Sequence, residues 1–118
     1  MAIASSAPIR VIPVTIRKGE SLSEPIDTGN GAPTMLYMSP GWNGQDVISF
    51  QVSADGSKFS DLFTAHGIEL ASEVVRGTAV IIDTHFSSSI LWLKVRAGTR
   101  GKPIPQDEER MLYLTVAP

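Results

Sequence analysis

The sequence predicts an all-β fold, a single-domain antiparallel β-sandwich or jelly roll of about seven or eight strands. Three observations carry that prediction. Segments alternating apolar and polar residues recur along the chain, as strands with one dry and one wet face require. Ten glycines and eight prolines lie between and within those segments, which calls for many turns and short elements. Helical periodicity is nearly absent, and no internal repeat or linker divides the chain.

The clearest segment is Val47 to Phe63. Ile48, Phe50 and Val52 alternate with Ser49, Gln51 and Ser53, and the strand runs into Ala54-Asp55-Gly56-Ser57. Asp-Gly is a strong turn dipeptide, because Asp tolerates unusual backbone angles and Gly takes positive φ at little cost. Phe59, Leu62 and Phe63 then return apolar weight to the interior. Burying Ile48, Phe50 and Val52 contributes roughly 5–8 kcal/mol gross. This hairpin is expected at the centre of the sandwich.

The remaining elements follow in order. Residues 1–8 are small and polar and are expected to form a mobile arm ahead of a domain spanning 9–118. Ile9 to Arg17 is the first strand. Ile9 and Val11 share one parity, and Ile12, Val14 and Ile16 share the other, so a bulge or sheet crossover is expected beside Pro13. The proline also places this strand at a sheet edge. Leu22 to Ile26 is a short extended piece interrupted by Pro25, and Met35 to Met38 is the next strand. Ile68 to Val75 fits either a strand or a short helix. Thr78 to Ile82 and Ile90 to Arg96 read as strands, 97–108 as the longest loop, and Met111 to Val116 as the last strand.

With 118 residues the chain suits one domain with one core. Its formal net charge of −2 and pI near 5.6 offer no bulk attraction to nucleic acid. The sequence has no cysteine, which excludes disulfides, thiolate zinc sites and Cys-ligated iron–sulfur clusters. Residues 1–8 lack the features of a signal peptide, and no apolar run is long enough to span a bilayer. A soluble product is expected.

Candidate chemistry is sparse. His66 and His85 sit in turn-rich segments without zinc spacing. Asp83-Thr84-His85 with Ser87, Ser88 and Ser89 supplies nucleophile-site ingredients but no glycine-flanked nucleophile turn. Asp55, Ser57 and Asp61 fall short of a calcium loop and read as hairpin-turn residues. Asp27-Thr28-Gly29-Asn30-Gly31 reads the same way. No catalytic residue, metal site or cofactor is expected.

One charge pattern stands out. Lys94, Arg96, Arg100 and Lys102 fall within nine residues that hold no acid, and Asp107, Glu108 and Glu109 follow. The pattern fits a solvated face with an ion-pair rim. It also fits an interface, because Ile90 and Trp92 share a strand face with Lys94 and Arg96. Basic and acidic groups close together suit a symmetric assembly in which one subunit's bases meet a neighbour's acids. Trp42 is either a lid on the core or an aromatic anchor.

Taken together, Trp42, Ile48 to Ser53 with Asp55-Gly56 and Phe59, and Leu91 to Arg96 with Gly98-Thr99 resemble small β-sandwich structural proteins of tailed bacteriophages, over roughly residues 26–116. The resemblance implies a non-enzymatic virion component, foremost a capsid cement or decoration protein. Such a protein is made in the bacterial host cytoplasm and located on the capsid surface. Expected partners are the major capsid protein and copies of itself, as a dimer or trimer, with no nucleic acid, membrane or small-molecule substrate. The expected interface residues are Trp42, Trp92, Lys94, Arg96, Arg100 and Lys102. The stretch Phe50 to Gly56 also resembles one strand–turn of discoidin-like carbohydrate-binding sandwiches. The alternative is therefore a carbohydrate- or receptor-binding module of a tail or baseplate, using Trp42 with Asn43, Gln45 and Asp46. A small hydrolase around His85 is the third reading.

Overall fold

A computed structural model describes residues 9–42, 47–82 and 90–118. The arm expected at 1–8 lies outside the described residues, as do Asn43, Gln45, Asp46 and the 83–89 segment carrying His85. Among the described residues there are nine strands: β1 (Arg10–Ile16), β2 (Ile26–Asp27), β3 (Ala32–Tyr37), β4 (Val47–Ser53), β5 (Ser60–Asp61), β6 (Ala71–Glu73), β7 (Ala79–Ile81), β8 (Trp92–Ala97) and β9 (Arg110–Ala117). They form two antiparallel sheets. The first has the order β1-β9-β3-β7, and the second has the order β2-β8-β4-β5, with β6 also paired to β4. The chain alternates between the sheets from β1 to β4 and again from β6 to β9. With β5 set aside as an extra hairpin strand between β4 and β6, this is the strand order of a jelly roll.

One core joins the sheets. Val14 and Ile16 of β1, Leu36 of β3 and Leu112, Leu114 and Val116 of β9 face Ile48 and Phe50 of β4 and Leu93 and Val95 of β8. Trp42 is 1% exposed and is the largest fully buried side chain. Among the described residues, every buried side-chain polar atom has a hydrogen-bond partner.

The hairpin and its turn form where the sequence predicts them, although only β4 is central and the two-residue β5 ends the sheet. Gln51 and Val52 of β4 pair with Asp61 and Ser60 of β5, and Gly56 takes φ +80° in the turn. The Asp55 carboxylate accepts hydrogen bonds from the Lys58 and Ser57 N–H groups, and those bonds hold its pKa below the ordinary carboxylate value. The segment at Ile68 to Val75 contains the short strand β6, paired to β4, which resolves the strand-or-helix ambiguity.

The first strand differs from expectation in one respect. It is an edge strand, but it pairs with β9 in unbroken register from Arg10↔Val116 to Ile16↔Arg110. There is no bulge or crossover at Pro13. The register shift lies instead in β3, between Pro33 and Met35. The inference of a parity switch treated every apolar residue as inward-facing. Ile12, Val14 and Ile16 do point to the core, while Ile9 and Val11 are exposed.

Candidate protein interface

The outer faces of the two sheets set the functional question. On the second sheet, Ser49, Gln51 and Ser53 lie opposite Arg96, Lys94 and Trp92 across the β4–β8 ladder. This is the polar face the sequence marks as wet, and much of it is covered. The segment between β4 and β6, a lobe of residues 54–70, folds across it. Ser49 is 0% exposed and Arg96 only 5%.

Arg96 is the post on which that lobe is fixed. Its Nε donates to Ser49 Oγ at 2.9 Å, Nη1 to Asp61 Oδ1 at 2.7 Å and Nη2 to Glu69 Oε2 at 2.8 Å. Ser49 Oγ passes a bond on to the Gly98 carbonyl. Arg100 closes the network, with Nε 3.2 Å from Asp61 Oδ2 and its N–H bonded to Glu69. The Arg96 hydrogen bond, helped by Gln51 and by the positive charges of Arg96 and Arg100, holds the Asp61 pKa below its usual value against the opposing effect of burial. Two cation–ring contacts tie the lobe down further: Lys94 Nζ stands 4.5 Å from the Phe59 ring centre, and the Arg100 guanidinium 5.8 Å from that of Phe63. Trp92 lies against Gly56, where a Cβ would sit 2.7 Å from Cε2 of the indole.

Five of the six residues expected at an interface are therefore engaged within the chain, Arg100 among them. Trp42 is buried in the core. Trp92, Lys94 and Arg96 support the lobe, and Arg96 is buried beneath it, so neither Trp42 nor Arg96 presents a side chain to a partner in this structure. Arg100 and Lys102 are exposed, with Arg100 also bound to Asp61. Two of the four bases that looked acid-free in sequence, Arg96 and Arg100, meet acids from the lobe. Asp107 and Glu108 bind Arg110 instead, at 2.7 and 3.1 Å. His66 is exposed in a turn. A cleft of about 730 Å3 beside the lobe is lined by apolar side chains including Val52, Leu62, Leu70, Ile82 and Ile90, with Asp55 and Lys58 among its polar groups.

The outer face of the first sheet is the opposite case. The register aligns Val11, Thr115, Met35 and Ile81 in one row across all four strands. A second row holds Pro13, Tyr113, Tyr37 and Ala79, and Thr15 stands beside Met111. None of these ten positions carries a charge. Ile81 is 72% exposed, Val11 61%, Tyr113 48% and Tyr37 44%. Even the hydroxyl of Thr115 is spent internally, on the Met35 carbonyl and the Thr34 side chain.

Sequence reasoning missed this surface, although a signal was present. In β9 both parities are largely apolar, with Leu112, Leu114 and Val116 on one side and Met111 and Tyr113 on the other. β1 shows the same feature. An antiparallel sheet with one wet face alternates cleanly, so strands that are apolar on both sides put apolar side chains on the outer face as well as the inner one. Protein-family models, curated protein sequences and solved structures were all compared with this chain, and none matches it.

Proposed function

We propose that the protein is a non-enzymatic structural component of a bacteriophage virion. In this reading it is a capsid cement or decoration subunit that binds the assembled major capsid shell and stabilises it. The observation that carries this reading is the open, uncharged face of the β1-β9-β3-β7 sheet. The largest apolar patch on a typical monomer is about 300–600 Å2 and is often functional, and this face stands at the upper end of that range. The jelly roll recurs in viral capsid domains, which supports the reading by analogy only. The mechanism is mechanical. A stiff two-layered body bridges neighbouring shell subunits, and each buried contact raises the cost of separating them.

The jelly roll also recurs in lectins. The carbohydrate-binding alternative, however, relied on Trp42 as its aromatic platform, and that indole is inside the core. The test is quantitative mass spectrometry of purified virions whose genome encodes this chain, with co-sedimentation of the purified protein on shells that lack it. Stoichiometric presence and saturable binding are expected. Absence from particles, or retention on a glycan array without shell binding, refutes the proposal.

A further inference from the structure

We infer that the apolar face of the β1-β9-β3-β7 sheet is covered by the same face of a second copy of this chain, giving a two-fold dimer of back-to-back sheets. The inference rests on the reading of this protein as an association module and names the partner of its open face.

Three features select a second copy. The first is charge. The face offers no ion to a partner, so recognition has to come from shape and apolar contact, and homodimer interfaces are the more apolar class. The second is shape. Packed sheets lie within about 30° of alignment because each is twisted, and two copies bring identical twists together. A two-fold interface needs a self-complementary patch, and this one has its aromatic pair, Tyr37 opposite Tyr113, inside the sheet rather than at its rim. The third is area. At the exposures given above, Val11, Tyr37, Ile81, Met111 and Tyr113 leave on the order of 600 Å2 open, close to the roughly 800 Å2 per partner of a standard interface. Covering that area takes five large apolar side chains out of water.

The absence of cysteine makes the test clean. Sedimentation velocity of the purified chain is expected to give twice the 12.7 kDa chain mass, and Tyr113→Lys and Ile81→Asp are each expected to give the chain mass with an unchanged circular dichroism spectrum. Under mild oxidation Tyr113→Cys is expected to form a disulfide-linked dimer, whereas Lys102→Cys stays uncrosslinked. A monomeric wild-type chain overturns the inference, as does a dimer that survives Tyr113→Lys or one that crosslinks through Lys102→Cys alone. Shell binding is read separately. A dimer that binds no virion shell leaves this inference standing and removes the functional reading, and a wild-type monomer that binds shells does the reverse.

Discussion

The two outer faces of this sandwich have exchanged their expected roles. The second sheet carries serine, glutamine, lysine and arginine on its outer side, and a lobe roofs it. The first sheet carries tyrosine, isoleucine, valine and methionine on its outer side, and nothing within the described residues covers it. The difference shows that hydropathy alone does not assign a face to water. A polar face can be covered if every donor and acceptor finds a partner, and Arg96, Ser49, Asp61 and Glu69 satisfy one another. On the first sheet, the outer side chains of Val11, Tyr37, Ile81, Met111 and Tyr113 stay in contact with water instead.

Trp42, which the sequence leaves either as a lid on the core or as an outward anchor, is buried in the core. Trp42→Ala is expected to lower stability by about 4 kcal/mol, since it empties the largest fully buried site. Urea denaturation checks this; a loss below about 1 kcal/mol would put the indole at the surface after all.

Next is the roof. Arg96→Met leaves Asp61 and Glu69 without their buried counter-charge and is expected to cost roughly 3 kcal/mol, the low end for a broken buried pair, because both carboxylates keep a partly wet edge. Fluorescence of Trp92, which lies beneath the turn at Gly56, is expected to shift as the lobe loosens.

Gly56→Ala strains a position at φ +80° and drives a methyl group into the Trp92 ring. About 1–2 kcal/mol is expected, from denaturation midpoints.

Acid sharpens the same point. The folded-state pKa of Asp61 is depressed, so its contribution is complete above the ordinary value near 3.8 and is lost as pH falls from there through the folded value. Wild-type stability is therefore expected to fall in that window more steeply than that of Asp61→Asn. Parallel pH profiles for the two proteins would remove Asp61 from the network.

The smallest thermodynamic effect belongs to the open face. Tyr37→Lys is expected to change monomer stability by no more than about 0.5 kcal/mol, because the ring is not needed for the fold. Measured by dilution below the association range, a larger loss would mean that the face is part of the monomer's own structure.

Much of the fold was legible in the sequence. Ile48-Phe50-Val52 and Leu93-Val95 announced core strands through their spacing, and Asp55-Gly56 announced the turn between β4 and β5. The edge position of β1 followed from Pro13. The bulge did not, because parity was judged by apolarity alone while Val11 was facing outward. The surroundings of the expected interface residues were the least legible part. Lys94 and Arg96 share a strand face with Trp92, and nothing along the chain reveals that residues 54–70 fold back over that face. Asp61 and Glu69 stand 35 and 27 positions from Arg96 in sequence, and the pairing of β5 and β6 with β4 brings them within reach.

By itself the sequence determined that the chain makes short strands joined by turns, and which side chains alternate on each of them. That information is local, set by backbone sterics and a two-residue repeat. Tertiary structure decided which strands are neighbours and so which alternate face ends under a roof and which is left open. Exposure depends on what packs above a face, and the covering residues come from distant parts of the chain.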